Sequence, residues 1–187
     1  MAKLKEMKTA VKGEAKHTSI ATYALAFGLI LILASAGYFL YANSGSSGAR
    51  PVRGAVGSTH EHTGFAVYVE GKQIDFSQNK YQLQADFVHV ENGDGTTIHK
   101  HATGVTFSDF LLTERMKLSK DCFKMDGGKE YCSSGDKTLK FYVNRQKSDL
   151  LENYELRDGD RILLSYGPET EAEIQEQLDS IRFNPEG

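Results

Sequence analysis

The stretch from Phe87 to His101 constrains this chain most. Runs holding the β-branched residues Val88, Val90, Thr97 and Ile98 flank Asn92-Gly93-Asp94-Gly95. Asn-Gly and Asp-Gly between such runs signal a hairpin, because these residues accept the positive φ that a tight turn demands. The sequence therefore predicts strands over 82–91 and 96–101. Side chains alternate faces along a strand, so His99 and His101 project from one face. A two- or four-residue loop sets Val88 opposite His99 and His89 opposite Ile98. A three- or five-residue loop sets His89 opposite His99. In that register His89, His99 and His101 share a face, with opposed β-carbons about 5 Å apart. The sequence leaves both registers open.

His60-Glu61-His62 repeats the same spacing upstream. Residues 60–101 hold five of the six histidines, and residues 102–187 hold none. Two imidazoles at i and i+2 of a strand can reach one metal ion. A lone histidine on a sheet is more often a solvated surface residue. Five within one segment, four of them in His-x-His pairs, favour a metal site on His60, His62, His89, His99 and His101. His99 and His101 are expected to form its nucleus, joined by His89 and by one or both of His60 and His62. Imidazole ligands without thiolate suit copper(II), zinc or nickel. Copper leads the divalent affinity order, with zinc as the alternative. Glu61 and Asp86 are candidate partners for ring N–H groups, and Asp86 is also a candidate fourth ligand.

The chain has three further parts before this region. Residues 1–19 are polar, with five lysines against Glu6 and Glu14. Residues 20–42 carry no charge; as a helix they rise about 34 Å, enough for a hydrocarbon core of about 30 Å. Tyr23 near one end, and Tyr38 and Tyr41 near the other, sit where interfacial aromatics belong. The sequence predicts an N-terminal transmembrane helix here. The lysine asymmetry places residues 1–19 in the cytoplasm and the C-terminal domain outside the cell, with the membrane as a partner. A cleaved signal peptide ending near Ala34-Ser35-Ala36 is the competing reading. The apolar run continues through Tyr38-Phe39-Leu40-Tyr41, which favours a retained single-pass anchor. Residues 43–59, rich in Gly and Ser, read as a flexible linker.

Residues 60–187 are about the size of one ordinary domain. The chain has formal net charge −3, and the part beyond the lysine tail is more acidic still. It has no basic stripe, which argues against nucleic acid as a partner. Gly64–Glu70 reads as a strand, and Gln73–Phe76 as a segment pairing back onto it. Thr106 is a helix N-cap with Asp109 in the first turn, followed by Phe107, Phe110, Leu111 and Met116 on one face. Cys122–Cys132 reads as a second hairpin, and Thr138–Val143 alternates as a strand. Arg161–Tyr166 is the most apolar strand and the expected sheet centre. Thr170 to Glu173 is a capping-box pattern opening a helix with Ile174, Leu178 and Ile181 on its apolar stripe. The expected class is α+β: transmembrane helix, linker, then a mixed β-sheet domain with one or two helices. Element order and the turn at Asp158-Gly159 resemble β-grasp (ubiquitin-like) domains.

Four stretches together carry a family resemblance. They are His60-Glu61-His62, Asp94–His101 with Gly104-Val105-Thr106, Leu139–Asn144, and Asp158–Gly167. They resemble single-pass extracytoplasmic proteins of ammonia-oxidising archaea, which commonly carry the label protein-disulfide isomerase. The similarity spans nearly the whole outer domain, and it implies localisation and architecture more than an activity.

Cys122 and Cys132 are the only cysteines. Catalytic thiol exchange usually uses Cys-x-x-Cys at a helix start, where the thiol pKa is lowered. Here nine residues and a turn separate the two, which points to a structural disulfide clamping a hairpin in an oxidising compartment. Cupin-like metal enzymes place Glu a few residues after His-x-His. After His101 the first carboxylate is Asp109, and after His62 it is Glu70. No nucleophile set or phosphate loop replaces the missing partner, so the reading leans away from an enzyme. The expected function is a membrane-anchored extracytoplasmic copper- or zinc-binding protein, accessory to a membrane metalloenzyme or other membrane complex. The competing readings are a metal-free interaction or assembly subunit and a thiol–disulfide oxidoreductase.

Overall fold

A computed structural model describes residues 50–184, together with Tyr23, Leu25, Phe27 to Leu29, Leu31 to Leu33 and Ser35. The chain divides into two compact units, Met1–Ser47 and Gly48–Gly187. In the second unit the strands are β1 (Glu61–Val69), β2 (Lys72–Gln73), β3 (Val88–His89), β4 (Thr97–Lys100), β5 (Lys117–Leu118), β6 (Cys122–Lys124), β7 (Glu130–Cys132), β8 (Thr138–Val143), β9 (Gln146–Lys147) and β10 (Arg161–Gly167). Two helices, α1 (Phe107–Thr113) and α2 (Glu171–Asp179), accompany them.

The main sheet runs β3-β4-β1-β10-β8-β9, with β2 added beside the end of β1. β1 and β10 are parallel, and the other neighbours are antiparallel. β10 is buried at six of its seven positions, as the most apolar strand should be when sheet neighbours and helices enclose it. β5, β6 and β7 form a separate small sheet.

Alternation along β1 divides the core into two layers. Phe65 and Val67 face one way, into a cluster with Phe76, Val88, Ile98 and the α1 residues Phe107, Phe110 and Leu111. Ala66 faces the other way, with Leu163, Tyr142 and the α2 residues Ile174 and Leu178. Both helices open on a capping box. Thr106 Oγ1 accepts from the Asp109 backbone N–H at 3.1 Å, while Asp109 Oδ2 accepts from the Thr106 N–H at 2.9 Å. Thr170 and Glu173 repeat this at α2. For the seven-residue α1 such a cap matters, because a helix that short is marginal without tertiary packing.

Gly64 positions the site. A β-carbon there would lie 2.8 Å from the Arg182 carbonyl oxygen and 3.0 Å from Phe183 Cβ. Its absence lets the chain after α2 lie on the second face of β1, where the Asn184 N–H donates to Thr97 Oγ1 at 3.0 Å. Cover on this face therefore reaches Gly64 and Thr97. Beyond them lie His60 to His62 and His99 to His101.

The expected α+β chain with an N-terminal transmembrane helix and a β-grasp-like outer domain requires correction. The structure is a mixed-sheet domain with few helices. Among the described residues, no helix is long and apolar enough to cross a membrane. A span needs about 20 consecutive apolar helical residues. Within 20–42 the described residues (Tyr23, Leu25, Phe27 to Leu29, Leu31 to Leu33 and Ser35) are helical. The tail 1–19, the rest of 20–42 and the linker residues 43–49 lie outside the described residues. Residues 50–59 bond back to the domain. The Gly54 N–H donates to Thr103 O at 2.9 Å, the Gly57 N–H donates to His101 O at 2.6 Å, and Arg50 pairs with Asp109.

Candidate metal centre

The strand register assembles the histidines. His62 of β1 lies opposite His99 of β4, and His89 of β3 lies opposite His99 on its other side. A row of three imidazoles thus crosses three strands. His101 and His60 continue β4 and β1 in opposite directions and form a second row beside the first. Alternation places these five on one face and Glu61, Lys100 and Val88 on the other.

The five rings close into a circuit. Centroid separations are 4.7 Å for His60–His62, 4.8 Å for His62–His99, 6.0 Å for His99–His89, 5.0 Å for His89–His101 and 4.8 Å for His101–His60. His60 is exposed, and His62 and His101 are half-buried. His89 and His99 are buried, at 8% and 3% exposure. The circuit therefore runs from solvent into the sheet.

The ring nitrogens define a narrower group. His60 Nε2 and His62 Nε2 are 3.1 Å apart. Ligand atoms of His60, His62 and His99 all lie within 4.8 Å of one another. Two imidazole nitrogens on one tetrahedral zinc ion, each about 2.0–2.1 Å from it, stand about 3.3 Å apart. The first pair is near that spacing, and the third ligand needs a modest side-chain rotation. His99 Nε2 is buried and has no hydrogen-bond partner, while its Nδ1 lies 3.7 Å from Glu91 Oε1. A buried lone pair or N–H left unpaired costs about 1–3 kcal/mol. A cation held with His60 and His62 would remove that cost, so the donor set fits a metal.

Burial favours the neutral form of two of the rings, His99 and His101. Burial pushes His99 below the usual imidazole range; Glu91 opposes this, and His62, His89 and His101 add to it. Burial likewise lowers His101, with His89 and His60 contributing in the same direction. Neutral imidazole is the form that binds metal.

The carboxylates differ from those read in the sequence. Glu61 faces away from the rings, toward Lys100 and Thr59, and Asp86 is exposed. Glu91 instead stands between His89 Nε2, at 3.5 Å, and His99 Nδ1, at 3.7 Å. Asp158 accepts from the His62 backbone N–H at 2.9 Å, with its oxygen 3.9 Å from His62 Nδ1. Glu91 has a local signal: it lies two residues beyond His89 and so shares its face. Asp158 has none, since the parallel pairing of β1 with β10 brings it there.

Cys122 and Cys132 are directly opposed on β6 and β7 and form a disulfide, with Sγ atoms 2.06 Å apart. Glu130 lies within reach of both sulfurs. Bonded to each other, those sulfurs offer no thiolate to an ion.

No known protein family, curated protein or solved structure matches the chain.

Proposed function

We propose that this chain is a metal-binding protein that takes copper(II), or alternatively zinc, on His60, His62 and His99. The observation that carries this reading is His99 Nε2, buried and unpaired beside two imidazoles whose Nε2 atoms are 3.1 Å apart. Glu91 supports it as the outer carboxylate. With the His99 Nδ1 proton turned toward Glu91, Nε2 presents its lone pair to the ion. Exposed His60 gives the ion an entry from solvent, so capture and onward delivery suit the site. The Cys122–Cys132 disulfide favours work in an oxidising compartment outside the cytoplasm, where copper stays cupric.

Calorimetric titration of the purified full-length chain with copper(II) and with zinc tests the proposal. His62→Ala and His99→Ala should each weaken binding by at least the roughly 10–100-fold typical of losing an outer-shell partner. Equal affinity in the parent chain and both variants overturns it.

A further inference from the structure

We infer that the same face holds a second divalent cation, bound by His89 and Glu91 with His101 beside them; this rests on the first site being a metal site. His89 Nδ1 lies 2.7 Å from the Ala85 carbonyl oxygen. A carbonyl oxygen only accepts, so Nδ1 donates to it and Nε2 is the ring nitrogen left for another partner. Nε2 faces Glu91 Oε2 at 3.5 Å, near the spacing of two ligands that each stand about 2.0–2.1 Å from one ion.

His89 is itself a buried side chain, 10% exposed, so bulk water screens this pair weakly. Its ring is 5.0 Å from that of His101. Donor number points the same way. A tetrahedral ion takes four ligands, and His60, His62 and His99 already supply three. His89, His101 and Glu91 remain, two imidazoles and a carboxylate, a set that suits zinc or copper(II). Glu91 touches both sites: one oxygen orients His99, and the other meets the second ion. Occupancy of one site is therefore felt at the other.

The test is metal stoichiometry of the full-length chain, with copper(II) and zinc each as the probe, by equilibrium dialysis and elemental analysis. Circular dichroism confirms that each variant folds. The parent chain should hold two ions, His89→Ala one and His62→Ala one. Glu91→Gln removes the charge at almost constant shape and should also hold one ion. One ion in the parent chain, retained at full affinity in His89→Ala and Glu91→Gln, overturns the second site and leaves the first standing. An imidazolium–carboxylate pair between His89 and Glu91 would give that same count of one. No ion in any chain overturns both.

Discussion

Lys100 lies opposite Glu61 across β4 and β1, its Nζ 2.9 Å from Glu61 Oε2, on the face turned away from the histidines. The ammonium also donates to Leu156 O at 2.6 Å and lies 3.5 Å from Glu155 Oε1. Each charged residue sits between two histidines in the sequence, so alternation sends the pair inward and the imidazoles outward. A one-residue slip would expose Lys100 on the imidazole face and bury the histidines in the apolar core. The ion pair thus holds the register on which the site depends.

Lys100→Met should therefore destabilise the domain. Removing one partner of a fully buried ion pair costs about 3–5 kcal/mol. The Glu61 side chain is 25% exposed, so partial hydration reduces the expected loss to about 2–3 kcal/mol. Urea unfolding of the variant beside the parent chain measures it. Unchanged stability would mean that the register is fixed elsewhere.

The disulfide contributes stability and leaves the metal face alone. Cys122 and Cys132 are ten positions apart, and closing such a loop is worth roughly 2–3 kcal/mol in the chain-entropy model. The double Ser variant should unfold at lower denaturant by about that amount while binding metal as before. Loss of a measurable thiol–disulfide exchange activity in that variant would point to redox chemistry instead.

Glu114 gives the domain a distinctive pH dependence. It is fully buried with Oε2 unpaired, and burial raises its pKa from 4.5 to about 7, against the opposing effects of the Thr113 hydroxyl and Arg115. A raised folded pKa means that the unfolded chain ionises first. Stability from this group is full below pH 4.5 and falls as pH rises to about 7, by up to about 3 kcal/mol. Glu114→Gln should remove that slope and be more stable than the parent at pH 8. Unfolding of both chains at pH 5 and pH 8 isolates the effect. A variant less stable at pH 8 would contradict it.

Much of the sheet can be read locally, and the part that cannot explains why the site was underdetermined. Thr138–Val143 alternates and is β8; Arg161–Tyr166 is apolar and lies inside the sheet as β10; Thr106 and Thr170 cap their helices. The shared face of His99 and His101 follows from period two alone. The pairing of His89 with His99 does not, because distant chain sets it. Asn92 and Gly93 both have positive φ, and the Asp94 N–H donates to Glu91 O at 2.9 Å, closing a tight turn at Asn-Gly. The chain then needs Gly95, where a β-carbon would lie 2.3 Å from the Ser77 backbone nitrogen. Val90 leaves the hairpin to bridge Gln82. Contacts with residues 76–83 thus fix the loop, and no turn rule within 87–101 contains them. The apolar run at 20–42 reads as a membrane span by composition, whereas among the described residues no helix is long and apolar enough to cross a membrane.

X-ray absorption at the zinc or copper edge, on the metal-loaded full-length chain, reads the ligand set itself. We expect a first shell of nitrogen at about 2.0–2.1 Å, with the outer-shell scattering of at least three imidazole rings, reduced by one ring in His99→Ala. A shell of oxygen alone, or sulfur at about 2.3 Å, would contradict it, because the ion would then be held by carboxylates and water or by the cysteines rather than by the histidine face.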